Sequence, residues 1–87
     1  MELPNEHSRL GLELRLIDRS RRRARRYHIV KARSLFGEPG LLITWGRIGR
    51  PARVRLETFT CTVARTERWD ELIARRIAHG YTTHPSG

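Results

Sequence analysis

With 87 residues, the chain has material for one small domain around one modest core. Its single cysteine, Cys61, excludes a disulfide framework and any zinc site built from cysteines at the usual spacing. The net charge of +9 is unevenly spread: between Arg19 and Arg55 twelve Arg or Lys stand against one acid, Glu38, while the remainder carries −2.

A basic middle between near-neutral ends is the electrostatic footprint of a nucleic-acid binder. Seventeen of the eighteen cations are Arg, and codon bias would explain Arg over Lys but not the scarcity of acids in the same stretch. The opening "MELPNEHSRL" has acids where a secretory signal has cations. No stretch approaches the roughly 20 apolar residues needed to span a bilayer. Together with the lone thiol, which suits a reducing compartment, this gives the expectation of a cytoplasmic protein with no membrane partner.

Residues 1–8 read as a loose tail. "LGLELRLI" then alternates, with Leu10, Leu12, Leu14 and Leu16 on one face and Glu13 and Arg15 on the other, the period of a half-buried strand. "DRSRRRARR" reads as a turn or loop of mutually repelling charges. Its Arg21–Arg26 run is a solvated loop by default, or a flexible arm for RNA. A second strand is expected from Tyr27 over "YHIVKA", whose residues are β-branched and aromatic. "SLFGEPG" is a connection punctuated by Gly37, Pro39 and Gly40.

"LLITWGRI" is the third expected strand, "GRPA" a turn, and "RVRLETF" the fourth strand. The period then changes. Thr66, Trp69, Leu72, Ile73 and Ile77 recur at three and four, marking one amphipathic helix that starts at Thr60, Cys61 or Thr62. Gly80 suits the position after the helix, Arg75, Arg76 and His79 suit its last turn, and Glu71–Arg75 is a favourable pair one turn apart. "TTHPSG", residues 82–87, reads as a polar tail. The expected architecture is α+β: a small antiparallel sheet of about four strands with one C-terminal helix packed on one face, over residues 9–81.

The stretch "TWGRIGR", Thr44–Arg50, carries the functional question. In a strand Leu41, Ile43, Trp45 and Arg47 share one face and Leu42, Thr44, Gly46 and Ile48 the other. Periodicity leaves open which face is inward. If Leu42, Ile48, Val54 and Leu56 enter the core, then Trp45, Arg47, Arg53 and Arg55 collect on the opposite side, with Arg50 at the connecting turn. Guanidinium forks pair with phosphate oxygens and an indole stacks on a base or lies against a sugar, so this group suits nucleic acid. Gly46 removes a side chain next to the indole and Gly49 suits a turn with positive φ. The competing reading makes Trp45 a core anchor and the arginines a solubilised sheet edge.

"WGRIG" after an apolar strand, then a short turn, "RVRL" and a helix ending in "GY", resembles the WGR domain family, as does "LFG" at Leu35–Gly37. The likeness runs from about Tyr27 to Tyr81, with the strand near Leu10 also in place, and is similar to the short bacterial members that consist of little else. It implies an antiparallel sheet with a packed helix. In poly(ADP-ribose) polymerases a WGR domain binds DNA near a break, which implies Trp45, Gly46 and Arg47 as motif residues, with Trp45 near the sugar-phosphate of a DNA end. Where many relatives begin the helix with Ser and acids, this chain has "CTVAR", a poorly capped start. No catalytic domain accompanies the motif in this sequence, so no signalling role is carried over.

The expected function is therefore nucleic-acid binding, to DNA at ends or nicks, through Trp45, Gly46, Arg47, Arg50, Arg53 and Arg55. The alternative is an adaptor that places the same basic face on an acidic protein; RNA is the other candidate partner. An enzyme is not expected. His7, His28, His79 and His84 show no metal-ligand spacing, Cys61 stands in no nucleophile motif, and Glu67, Asp70 and Glu71 read as a solvated helix face. No cofactor, metal or small-molecule substrate is expected.

Overall fold

The computed structural model describes residues 10–84. Five strands and one helix follow in the order β1 (Gly11–Asp18), β2 (Arg23–Arg33), β3 (Pro39–Arg47), β4 (Arg53–Thr58), α1 (Thr62–Ala78) and β5 (Thr82–His84). The strands form one antiparallel sheet in the order β4-β3-β2-β1-β5. Three successive hairpins lay down β1 to β4; α1 then crosses one face and returns the chain to the opposite edge. The expected α+β class is the observed one. The expected tail at 1–8 lies outside the described residues.

Three details differ from the sequence reading. Thr82–His84 is a fifth strand, pairing with Glu13–Arg15 of β1; three residues are too few to show a period. β2 begins at Arg23, not Tyr27, so four of the six residues of the Arg21–Arg26 run are strand. Asp18 Oδ1 accepts from the Ser20 hydroxyl (2.7 Å) and the Ser20 N–H (3.1 Å), which ties the Arg19–Arg22 turn and sets the Asp18↔Arg23 register.

The third difference concerns the inward face. Leu41 and Ile43 are fully buried, whereas Leu42, Val54 and Leu56 are exposed and Ile48 is half-buried. Ile43 pairs with Ile29 across the β2–β3 ladder, and Leu12, Leu14, Tyr27, Leu41, Trp69, Leu72, Ile73 and Tyr81 complete the core beneath α1. The alternation on β4 misled because its apolar residues, Val54 and Leu56, belong to the open face of an edge strand. Of the helix stripe, Trp69, Leu72 and Ile73 are buried, but Ile77 is exposed, and in the last turn it is Arg76 that packs onto the sheet, over Tyr27.

Cys61 is the helix N-cap, exposed and making no side-chain cap bond, as the weak start "CTVAR" implied. Instead α1 is fastened by its side chains. Arg68 Nε and Nη2 reach Glu57 of β4 at 2.8 and 3.1 Å, and Glu71 Oε1 accepts from Arg68 (2.8 Å) and Arg75 (2.9 Å). No helix among the described residues is long and apolar enough to cross a membrane.

Candidate nucleic-acid interface

The register decides what stands beside Trp45. It faces Tyr27 on β2 and Arg53 on β4, while Arg47 faces Arg25. Residues paired across antiparallel strands share a face, so Trp45, Arg25, Arg47, Arg53 and Arg55 all lie on the helix side of the sheet. The arginines collect as expected, but on the covered face and not the open one. They remain accessible because α1 ends before it reaches them.

The uncovered corner is a cavity of about 690 Å³ lined by Arg25, Trp45, Gly46, Arg47, Arg50, Pro51, Arg53, Arg76 and Tyr81. β2, β3 and β4 supply its floor, the turn after β3 one wall, and the last turn of α1 with Tyr81 the other. Five arginines and two aromatic rings thus converge, with no carboxylate in the lining. Among the described residues no ion pair neutralises Arg25, Arg47, Arg50, Arg53 or Arg76. Like charges gathered in a concave, partly apolar corner focus a positive potential there.

Trp45 is both anchor and lining: half-buried, packed against the core, with one edge on the cavity. The Arg55 guanidinium lies over its ring, 5.5 Å from the centroid, and donates to Glu57 Oε2 at 3.0 Å. Of the six residues picked from sequence, Trp45, Gly46, Arg47, Arg50 and Arg53 line the cavity; Arg55 stands behind the indole.

Gly46 has φ +156°, and a Cβ there would sit 3.4 Å from Ala52 Cα and 3.6 Å from the Pro51 carbonyl oxygen. Those are ordinary contacts, so what the glycine supplies at this strand end is the positive backbone angle. The turn is closed by the Arg50 N–H on the Arg47 carbonyl (3.1 Å), with Gly49 at φ +85°, and the Ile48 N–H is held by the Ala24 carbonyl (2.8 Å). Arg47 and Arg50 therefore project from a braced turn.

Arg25, Arg76 and Tyr81 are additions to the sequence-derived set. Arg25 was hidden in the arginine run, although Arg23, Arg25, Tyr27 and Ile29 alternate in one series. Arg76 was read only as a helix-terminus cation. Its guanidinium lies 4.4 Å from the Tyr27 ring centroid and 5.7 Å from that of Tyr81, a stack that aims a planar fork at the cavity. Burial raises the Tyr27 phenol above its ordinary pKa, opposed by the Arg76 charge, so the hydroxyl stays neutral beneath it.

Among the described residues no group of three His, Cys, Asp or Glu side chains is placed to hold a metal ion. His28 and His84 instead flank Glu13 from the two neighbouring strands. The Glu13 carboxyl is held below its ordinary range, first by the Arg15 hydrogen bond (2.7 Å).

The family model of the WGR domain matches this chain over residues 11–87. The match takes in β5 and everything from the first strand onward. Neither the curated proteins nor the solved structures gave a match.

Proposed function

The chain belongs to the WGR domain family, a family associated with nucleic-acid binding, and on that footing we propose that it binds DNA through the arginine-lined cavity beside Trp45. The observation that carries this reading is the convergence of Arg25, Arg47, Arg50, Arg53 and Arg76 around one accessible indole with no acid among them. The guanidinium groups meet phosphate oxygens, singly or in bidentate pairs, and the edge of Trp45 lies against a sugar or terminal base. Because the cavity is a corner and not a groove, it receives an end or a nick more readily than the side of an intact duplex. Sequence readout is slight, since phosphate contacts position without specifying.

Binding, not catalysis, is the chemistry assigned. Guanidinium groups stay protonated near neutral pH and supply charge and hydrogen bonds, not proton transfer. If the five lining arginines each neutralise one phosphate, log affinity for duplex DNA falls against log salt with a slope of about −4.5. Fluorescence anisotropy of a labelled duplex over a salt series measures that slope. A slope near zero removes the phosphate reading, and equal affinity for a polyglutamate of matched charge gives precedence to an acidic protein partner.

A further inference from the structure

The sheet order leaves β4 and β5 as edges, and β5 has only three residues. Among the described residues β4 is the longer edge, with no strand paired outside it. The Phe59 N–H donates to the Pro39 carbonyl at 2.8 Å, in phase with Leu41↔Glu57, Ile43↔Arg55 and Trp45↔Arg53. In an antiparallel ladder bonded pairs recur every second residue, so Arg53, Arg55 and Glu57 turn their main-chain groups to β3. Val54, Leu56 and Thr58 therefore point their N–H and C=O groups away from the sheet.

The side chains along this edge are sorted by face. Arg53 and Arg55 lie on the helix side. Val54 and Leu56, 62% and 48% exposed, lie on the open side, where Leu56 continues into Leu42. No proline or bulge interrupts β4, and its charges, Arg53, Arg55 and Glu57, all lie on the helix side.

We propose that β4 accepts an extended peptide as a sixth strand, and that the peptide alternates acidic with apolar residues. Main-chain bonds form to Val54, Leu56 and Thr58. The acids fall opposite Arg53 and Arg55, at the pairs where side chains of neighbouring strands approach most closely. The apolar residues fall opposite Val54 and Leu56. Strand addition of this kind takes affinity from the backbone and selectivity from alternate side chains. Charge favours an acidic occupant: Arg53 has no ion-pair partner among the described residues, and Arg55 shares its guanidinium with the single carboxylate of Glu57. The surface is distinct from the cavity except at Arg53, which borders both.

The test is anisotropy of a short labelled peptide of alternating Val and Glu, against a control of equal composition with the Val and Glu residues in two separate blocks. The alternating peptide is expected to bind at least about tenfold more tightly. Leu56→Pro removes one outward N–H and leaves the β3 ladder intact, because proline is tolerated on an edge where its nitrogen faces solvent. It is expected to weaken peptide binding about tenfold more than Leu56→Ala, and to leave DNA binding unchanged; Arg47→Ala does the reverse. Independently of any variant, peptide binding should slow amide hydrogen exchange at Val54, Leu56 and Thr58. Equal binding of the two peptides, equal effects of proline and alanine, or unaltered exchange at those three amides each overturns the proposal.

Discussion

Arg55 covers the indole of Trp45 at 5.5 Å from the ring centroid while Glu57 holds the same guanidinium at 3.0 Å. The arginine that lies over the motif tryptophan's ring is thus committed to positioning it, and it is absent from the cavity lining that Arg25, Arg47, Arg50, Arg53 and Arg76 form. Arg55→Ala should leave the salt slope of DNA binding within error of wild type while shifting the Trp45 emission of the free protein. Arg47→Ala or Arg53→Ala should flatten the slope by about 1. A full-unit loss of slope in Arg55→Ala would place that side chain on a phosphate.

Arg76 joins the helix to the cavity through its stack on Tyr27 and Tyr81. Arg76→Ala is expected to cost about 1–2 kcal/mol of folding stability, from lost stacking and stem packing, and to weaken DNA binding. Arg76→Lys should keep most of the salt slope yet recover little of the stability, since an ammonium lacks the planar face. Chemical denaturation and the salt series, run on both variants, separate the two contributions.

Gly46→Ala tests the strand end. The space for a methyl group is ordinary van der Waals contact, so the cost comes from φ +156°, and about 1–3 kcal/mol of stability should be lost. Thermal unfolding that matched wild type would show that the backbone relaxes there freely.

Glu57 couples helix to edge strand and carries a pH dependence. The Arg68 hydrogen bond, its largest cause, holds the carboxyl below its ordinary value of 4.5, with the Arg68 and Arg55 charges acting in the same direction against desolvation. A carboxylate with a depressed folded-state pKa stabilises the fold at pH above the unfolded value, and that stability is lost as pH falls through the folded one. Glu57→Gln should therefore destabilise by about 1–2 kcal/mol near pH 7, and the gap from wild type should close as pH falls below the ordinary carboxylate range through the depressed folded-state value. A gap that stays constant with pH would mean that the ion pair contributes nothing beyond its shape.

The strands and the helix were legible wherever period and composition agreed. Leu12 and Leu14 alternate into the core, and Trp69, Leu72 and Ile73 mark the buried helix face. β3 was harder, because Leu41-Leu42-Ile43 is apolar on both faces and only the partner elements decide which is inward. Ile29, Trp69 and Ile73 are far away in sequence, so no local signal could choose Leu41 and Ile43 over Leu42. The site was legible in its motif half, where Trp45, Gly46, Arg47, Arg50 and Arg53 sit on one hairpin. Arg25, Arg76 and Tyr81 come from three other segments, and Arg25 in addition lay in a run whose crowded charges argued for loop. Their convergence follows from the 25↔47 register and from where α1 stops, both tertiary facts.

The role proposed for this corner is to grip a broken or terminal DNA backbone. It is tested most directly by anisotropy with an end-blocked duplex, an open 5′-phosphorylated duplex and a nicked duplex, each at low and higher salt with tryptophan emission followed in parallel. Trp69 is fully buried on the sheet-facing side of α1 and Trp45 borders the cavity, so a change in emission reports on Trp45. The account predicts salt-sensitive binding that favours the open or nicked DNA and shifts the emission. Equal binding of all three duplexes with unchanged emission would contradict it, as would no binding at low salt.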